Sequence, residues 1–558
     1  MNRTTQWPRI IPCRIKTSDN DKIFFLSLGE IKTPVSQGTF DPEKDAVQLK
    51  SGEVIQNYFK ETLGIRFFEP MDKSVFPLPP CGWCSWYYYY QEINEDEVKL
   101  NARWIADHLK DYGVDCVQID DGWKGKGRGE RDNRDWTTID KRFPSGMQGL
   151  TEYIKSLGLT PGLWLAPHGQ SNPEVIKNNP RAFLKNENGE SPSETWVGLH
   201  IVNPSTEEGH HYLHDLFQKL CDWGYEYFKI DGQPIVIEEY GKNMKYMEAT
   251  DKDEEELYRE TVKTIRKSIG DKRFLLGCWG IPLPGVGIMN GSRTAGDVIL
   301  GWKGFMVAFW ATMKYYFMHN IAWYCDPDVM ILRDPLPLSQ ARAWATLQGL
   351  TGQSLLTSDR YPDLTEERLE ILKKVSPAVD VRPLDLFPSE RTKPMWDLKV
   401  NHLGRNYDIV AVFNVDENET QRHLVSWEEL EIQEAERVHL FDFWKGEYLG
   451  VWEKGYMAEV PPASCQVLTL LPDNGKIRLI STNRHITQGW LDLESAEFDA
   501  SSNTYRGKSH VIAGDEYELS FAFPRGKNFK ITQAEAGKYP VKIQNYPTWA
   551  KLSFTPEK

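Results

Sequence analysis

The chain has 558 residues, with 80 Asp and Glu against 66 Lys and Arg, a net charge of −14, and 12% aromatic residues. That length exceeds what one hydrophobic core serves, so two to four domains are expected, and the negative balance disfavours the phosphate attraction on which nucleic-acid binding relies. No stretch reaches the roughly 18 apolar residues of a membrane span, and Pro8 and Pro12 interrupt any signal-like apolar run. No membrane partner is expected, and the location predicted is the cytoplasm, with export of a longer precursor as the alternative. Eight cysteines are scattered along the chain. Only Cys81 and Cys84 form a C-x-x-C, without a second pair at zinc spacing, which argues against both a disulfide framework and a zinc site.

Residues 1–80 read as a short N-terminal β region, with strand-like runs at 23–28 and 64–68. It closes on a stiff connector at Pro77, Pro79 and Pro80. From 81 to 380, apolar runs of strand length alternate with segments of helical period, the pattern of βα units on a parallel sheet. Strands are predicted at 82–86, 115–119, 162–166, 225–230, 274–278, 287–293, 321–325 and 354–358, and eight is the number of a (β/α)8 barrel. Between them, Val98, Ala102, Ile105 and Leu109 mark one helix face, with a capping box at Asn94 and Glu97. Tyr258, Val262, Ile265 and Ile269 mark another, stopped by Gly270. After 380 the pattern changes to alternation with turn clusters, which predicts an antiparallel β-sandwich at 381–472 and an additional β module at 473–558.

In a barrel the chemistry sits at the C-terminal ends of the strands. The predicted ends are rich in carboxylates: Asp120 and Asp121, Asp231, Asp297, Asp326 and Asp328, and Asp359. Such a ring serves either a metal with oxygen ligands or glycoside hydrolysis by a carboxylate pair. Lys229, two positions before Asp231, shares its face on a strand, where it would repel a divalent metal and hold the carboxylate ionised. Trp86, Tyr87, Trp123 and Trp164 crowd the same ends and suit the apolar face of a sugar. Each residue also has an ordinary alternative. A lone strand-end aspartate more often caps a helix, Asp297 follows glycine as in a common turn, and Asp326 and Asp328 flank a proline, which points to capping for at least one. The tyrosine run 87–90 would alternate faces on a strand, half of it in the core. His168, His210, His211 and His319 lack ligand spacing, and Cys84, Cys116 and Cys278 read as buried thiols.

The motifs GWCSWY at 82–87, QIDD at 118–121, FPSG at 143–146, PGLWLAP at 161–167, YFKIDG at 227–232 and LLGC at 275–278 resemble glycoside hydrolase family 36 in content and order. So do Ser-Arg-x-x-x-Asp at 292–297 and YFMHN followed by DPDVMILR between 316 and 333. The resemblance covers roughly 80–360 and implies a retaining exo-α-galactosidase with no cofactor and no metal. Its partner would be a carbohydrate carrying a terminal α-galactosyl group. By resemblance Asp231 is the nucleophile and Asp297 the general acid/base, with carboxyl groups about 5–5.5 Å apart. Asp120 and Asp121 match the pair on the sugar's 4- and 6-hydroxyls, and Lys229, Arg293, Cys278 and Trp164 match further pocket positions. Two departures stand out: only about 80 residues precede the barrel, where relatives carry a large sandwich, and the acid motif reads Arg-Thr-Ala-Gly-Asp. α-N-Acetylgalactosaminidase, β-L-arabinopyranosidase and raffinose-synthase-like transfer are the alternative activities. A non-catalytic galactoside-binding protein is the alternative of another class, and the oligomeric state is left open.

Overall fold

Apolar runs too short for a helix and bounded by Gly or Pro settle as parallel strands buried on both faces. They are β1 (Cys81–Cys84), β2 (Cys116–Ile119), β3 (Thr160–Leu165), β4 (Tyr227–Ile230), β5 (Phe274–Gly277), β6 (Gly291–Arg293), β7 (Tyr324–Asp326) and β8 (Leu355–Thr357). The computed structural model describes residues 23–26, 36–49, 51–125, 134–248, 251–385, 394–430, 432, 437–527 and 529–557. Cys13, the N-terminal prolines and positions 27–28 of the first predicted strand lie outside them. The strand order is β7-β6-β5-β4-β3-β2-β1-β8. The circle closes where Ser354 N–H donates to Cys325 O at 3.1 Å and Met330 bridges to Thr357. Each predicted barrel strand is present, with its bounds moved by one to four residues: most are shorter than predicted, whereas Thr160–Leu165 begins two residues earlier, Cys81–Cys84 one earlier, and Tyr324–Asp326 ends one later. Gly82 is obligatory at the β1–β2 contact, because a Cβ there would lie 2.1 Å from the Cys116 carbonyl oxygen.

The helix Glu95–His108 buries Val98, Ala102 and Ile105, and Asn94 caps it by accepting from Glu97 N–H. The reciprocal half of the expected box is missing, because the Glu97 carboxylate turns to Tyr89 Oη and Arg360 Nε instead. A complete box forms at Asp253 and Glu256, ahead of the helix Glu254–Ile269, which Gly270 ends. Between β5 and β6 the described chain makes only the short 3-10 turn Leu283–Gly285; the first residues of this crossover, Cys278–Ile281, line the cavity, and Ile281, Leu283 and Val286 pack with Phe59 and Phe317.

Two local expectations are corrected. Residues 86–90 are not strand: β1 stops at Cys84, Ser358 Oγ accepts from Tyr87 N–H, and Ser85 O accepts from Tyr89 N–H, so Trp86–Tyr89 coil into a helical turn. Only Tyr87 of the tyrosine run is buried. Residues 64–68 are turns following the short π-helix Tyr58–Thr62, whose Phe59 and Lys60 N–H groups donate to the Asp45 carboxylate.

N-terminal to the barrel, a four-stranded antiparallel sheet and residues 58–68 pack Phe40, Phe59 and Phe68 onto Phe317, Met318 and Trp323 of the barrel. C-terminal to it, a six-stranded sheet faces the two-stranded antiparallel pair of Gln421–Ser426 and Gly455–Val460 across a core of Val410, Val412, Val425, Leu440 and Leu468. Phe413 of this sheet stacks on Phe305 at 6.2 Å, and Trp302 Nε1 donates to Val415 O, which fixes the sandwich on the helix Trp302–Tyr315. Residues 478–554 add a further four-stranded sheet and a hairpin with their own small core around Leu479, Phe521 and Phe523.

Candidate active site

The C-terminal ends of β2 to β6 surround one cavity of about 560 Å³. Asp120 and Asp121 enter it from β2, Trp164 from β3, Lys229 and Asp231 from β4, Cys278 from β5, and Arg293 and Asp297 from β6, with Trp86 at the rim. Sequence reasoning named all of these. Tyr87 and Trp123, expected beside them, do not line the cavity. Tyr87 lies beneath, its hydroxyl donating to Asp328, and Trp123 is fully buried with its indole N–H on Trp164 O at 2.9 Å.

Asp231 follows the last β4 residue, and its own N–H donates to Leu165 O of β3. Gly232 then takes a left-handed conformation (φ 83°) that begins the helix Gln233–Asn243, and its N–H donates to Asp231 Oδ1 at 2.6 Å. Trp164 Nε1 donates to the other oxygen at 2.8 Å. Both carboxylate oxygens are therefore oriented by N–H donors that cannot accept a proton back. Burial pushes the Asp231 carboxyl above its ordinary range, with Lys229, Trp164 and Gly232 offsetting only part. This reverses the expectation that Lys229 holds Asp231 at a low pKa. The lysine shares its face but spends its charge on Asp120, Nζ to Oδ2 at 2.9 Å in a pair buried on both sides. Burial disfavours the charged ammonium, but Asp120 together with Cys278 and Cys84 outweighs it and raises Lys229 well above its usual value.

Asp297 differs from Asp231 in its surroundings: its side chain is 68% exposed, reached by Arg293 Nη2 at 3.2 Å. Its partial burial would raise the carboxyl, but Arg293 and then Lys229 outweigh that and hold it below the ordinary range. Arg293 itself is buried and paired to Asp328 at 2.8 Å. Asp328 Oδ2 also accepts from Val298 N–H at 3.0 Å and from Tyr87 Oη. Asp326 Oδ1 accepts from Asp328 N–H, and burial pushes the Asp326 carboxyl up to about 6. Asp326 and Asp328 are therefore not helix caps. Asp328 takes a left-handed backbone (φ 75°), and its carboxylate meets the buried guanidinium. Asp359 is likewise outside the cavity, taken by Leu332 N–H and Arg333.

Asp120 and Asp121 sit side by side in different company. Asp120 Oδ2 accepts from Lys229 and from Gln118 Nε2 at 2.8 Å. Asp121 is flanked by two buried cations, Lys124 at 3.1 Å and Arg134 at 2.9 Å, and Gln91 Nε2 donates to it at 3.1 Å. Burial raises its carboxyl, but the cations win and hold it below the ordinary range. Gln91, Arg134, Trp196 and Trp279 also line the cavity and were not found from sequence. They come from loops and from strand-remote segments without periodicity, so only the adjacency of Trp279 to Cys278 offered a signal. Among the described residues no group of His, Cys, Asp and Glu is arranged to hold a metal ion. The expected structural role of His168 fits its buried Nε2 contact with Thr261 Oγ1 at 2.8 Å.

Residues 77–270 match the Melibiase family model, and residues 398–470 match that of the alpha galactosidase C-terminal beta sandwich domain. A probable alpha-galactosidase of Dictyostelium discoideum is 22% identical over 424 residues, 74% of this chain and 97% of its own length. The solved wild-type GH27 β-L-arabinopyranosidase of Geobacillus stearothermophilus aligns with TM-score 0.57 at 23% identity, covering 72% of this chain and 97% of that one. Alpha-galactosidase I of Mortierella vinacea aligns with TM-score 0.50 at 18% identity, covering 72% and 98%. These likenesses support the barrel with its C-terminal β domain. They carry the motif reading at the coarser level, a melibiase-related chain, since family 27 is a different label from the family 36 that the motif order resembles.

Proposed function

We propose that this melibiase-related chain is a glycoside hydrolase, a retaining exo-α-galactosidase that removes terminal α-linked galactose by double displacement. The observation that carries this reading is one cavity holding two carboxylates in opposite environments, the buried and oriented Asp231 and the exposed, cation-held Asp297. Asp231 attacks the anomeric carbon as the bond to the leaving oxygen breaks, and Asp297 delivers its proton to that oxygen. Asp297 then takes a proton from water, which attacks the same carbon and expels the Asp231 carboxylate, so the anomer is retained. The donors Trp164 and Gly232 fix the attacking oxygens, which lowers the reorganisation needed at attack. Before the first step Asp297 has to be protonated. A bound sugar covers its exposed carboxyl, and that desolvation raises its pKa toward the acid role.

Asp120 serves the 4-hydroxyl and Asp121 the 6-hydroxyl, as the motif match implies. Arg293 lies on the 2-hydroxyl side, beside Cys278, and Trp86 and Trp164 offer apolar faces. The family-36 assignment rests on motif order and is part of this proposal. So is a reducing location, supported by the seven described cysteines, all unpaired. The second sugar is a β-L-arabinopyranoside, which lacks the 6-hydroxyl. Asp121 favours galactose over it, because Gln91 and Arg134 both donate to Oδ2 while the buried Oδ1 has only the Lys124 ion pair and keeps acceptor sites for that hydroxyl.

The test is a panel of aryl glycosides with mass spectrometry of the adduct left by a 2-deoxy-2-fluoro-α-galactosyl fluoride. The proposal expects turnover of the α-galactoside, label on Asp231, and at least a thousandfold loss in Asp231→Asn. Label elsewhere, or a fully active Asp231→Asn, refutes the nucleophile assignment. A preference for the arabinopyranoside selects the second sugar.

A further inference from the structure

Both oxygens of Asp231 are oriented by donors that are themselves backed by one loop tip. In the β3–β4 connection Gly169–Gln170 pair antiparallel with His200–Ile201, and just before the second of these strands Thr195 and Gly198 exchange backbone hydrogen bonds at 3.0 and 3.1 Å. Trp196 and Val197 form the head of that tight turn. Val197 is fully buried, and Trp196 lines the cavity. A Cβ on Gly232 would lie 2.3 Å from Val197 Cγ1 and 3.4 Å from the Trp196 ring, so the tip presses directly on the turn that follows the nucleophile. Trp196 also meets Trp164 edge to face at 6.1 Å. One residue of the tip thus stands behind Gly232, whose N–H donates to Asp231 Oδ1 at 2.6 Å, and the other beside Trp164, whose indole donates to Oδ2 at 2.8 Å.

The tip is anchored on both flanks. Ser193 Oγ donates to the Glu239 carboxylate and accepts from Asn243 Nδ2 at 3.0 Å, both on the helix Gln233–Asn243 that Gly232 begins. On the other flank Arg134 Nε donates to Trp196 O at 3.1 Å, its guanidinium lies 4.3 Å over the Trp196 ring, and its Nη1 reaches Asp121. The Val197 carbonyl closes on Gly169, where a Cβ would lie 2.1 Å from its oxygen. Such packing matters because glycine populates left- and right-handed backbone about equally, so nothing in Gly232 itself selects the φ of 83° that aims its N–H at the carboxylate. The branched Val197 side chain supplies that selection.

We propose that Val197, carried on this tip with Trp196, is a positioning residue for the nucleophile, holding Gly232 in the conformation that orients Asp231 for attack. This rests on the glycosidase reading above and deepens it. Asp231 has to approach the anomeric carbon in line with the departing bond, and misplacement by about 1 Å can cost on the order of a hundredfold in rate. Val197 does not line the cavity, so its influence falls on the attack and not on the holding of the sugar.

The test isolates the attack. In adduct formation from 2-deoxy-2-fluoro-α-galactosyl fluoride, an Asp231 oxygen bonds to the anomeric carbon as the carbon–fluorine bond breaks and fluoride leaves, with no proton required from Asp297. Val197→Ala is expected to slow the limiting rate of this step about tenfold while the inhibition constant of free galactose stays within about twofold. Val197→Thr, which keeps the branched shape, should remain within about threefold of the unmodified rate. Ser193→Ala frees the tip from the helix without touching Val197 and should slow the step at least about threefold, again with galactose binding unchanged. An unchanged rate in folded Val197→Ala overturns the proposal, and if that variant does not fold, an unchanged rate in Ser193→Ala does so. An equal loss of galactose binding, or equal slowing in Val197→Thr, also overturns it. If the unmodified protein forms no adduct on Asp231, the glycosidase reading itself fails, whereas an adduct on Asp231 at a rate indifferent to Val197 and Ser193 sinks this inference alone.

Discussion

Replacing Asp328 by Asn tests the buried network beneath the proposed acid. One oxygen of this carboxylate takes three donors, Arg293 at 2.8 Å, Val298 N–H at 3.0 Å and Tyr87 Oη, while the other accepts from Val329 N–H. Asparagine keeps the shape but removes the charge. Arg293, 2% exposed, is then left with the carboxylate of Asp297, which is largely solvated. Removing one partner of a buried ion pair costs about 3–5 kcal/mol. At roughly 2 °C per kcal/mol for a large domain, the barrel's thermal midpoint should fall on the order of 5–10 °C. The same change should alter catalysis in a definite direction. Negative Asp328 disfavours ionisation of Asp297 and competes for Arg293. Without it the Asp297 carboxyl is held lower still, and because Asp297 titrates below Asp231 in the free protein, the acid limb of kcat/KM moves to lower pH. Differential scanning calorimetry and a pH series on an aryl α-galactoside measure the two effects. A midpoint within 1 °C of the unmodified protein, or an acid limb that stays put or moves up, refutes the assigned coupling.

In the free protein burial raises Asp231 while Arg293 holds Asp297 low, the reverse of the order the active form needs, so kcat/KM should show an acid limb below and an alkaline limb above the ordinary carboxylate range. The alkaline limb of kcat should lie at higher pH than that of kcat/KM, since bound sugar desolvates Asp297; coincident limbs in the two profiles would contradict this. Asp326→Asn should stabilise the protein at neutral pH. A carboxyl raised from 3.8 to about 6 stabilises the fold when protonated and loses that contribution as pH rises through the folded value. The gain should approach about 3 kcal/mol near pH 8 and vanish below pH 4 in denaturant titrations, and a pH-independent effect would refute it. Gly82→Ala should cost at least about 3 kcal/mol or prevent soluble expression, because its methyl would meet the Cys116 carbonyl on backbone that cannot yield. Near-native solubility and melting would refute that.

The order of elements was legible in the sequence because alternation of short buried runs with helical periods is a local property. The eight strands, the faces of the helices Glu95–His108 and Glu254–Ile269, and the change to antiparallel pattern after 380 all follow from side-chain spacing. Strand ends in turn located Asp120, Asp121, Asp231 and Asp297, because a barrel delivers every strand end to one mouth. Tertiary structure decided which charge meets which. Lys229 and Asp231 share a strand face, yet the ammonium reaches across to Asp120 on β2, and burial, a property no local pattern records, then raises the Asp231 carboxyl. Asp328 looked like a cap until the chain brought Arg293 against it across 35 positions. Trp196, Trp279 and Arg134 were invisible for the same reason. Their role comes from meeting across loops, and the spacing of residues along a chain specifies a strand or a helix face but not which loops close over it.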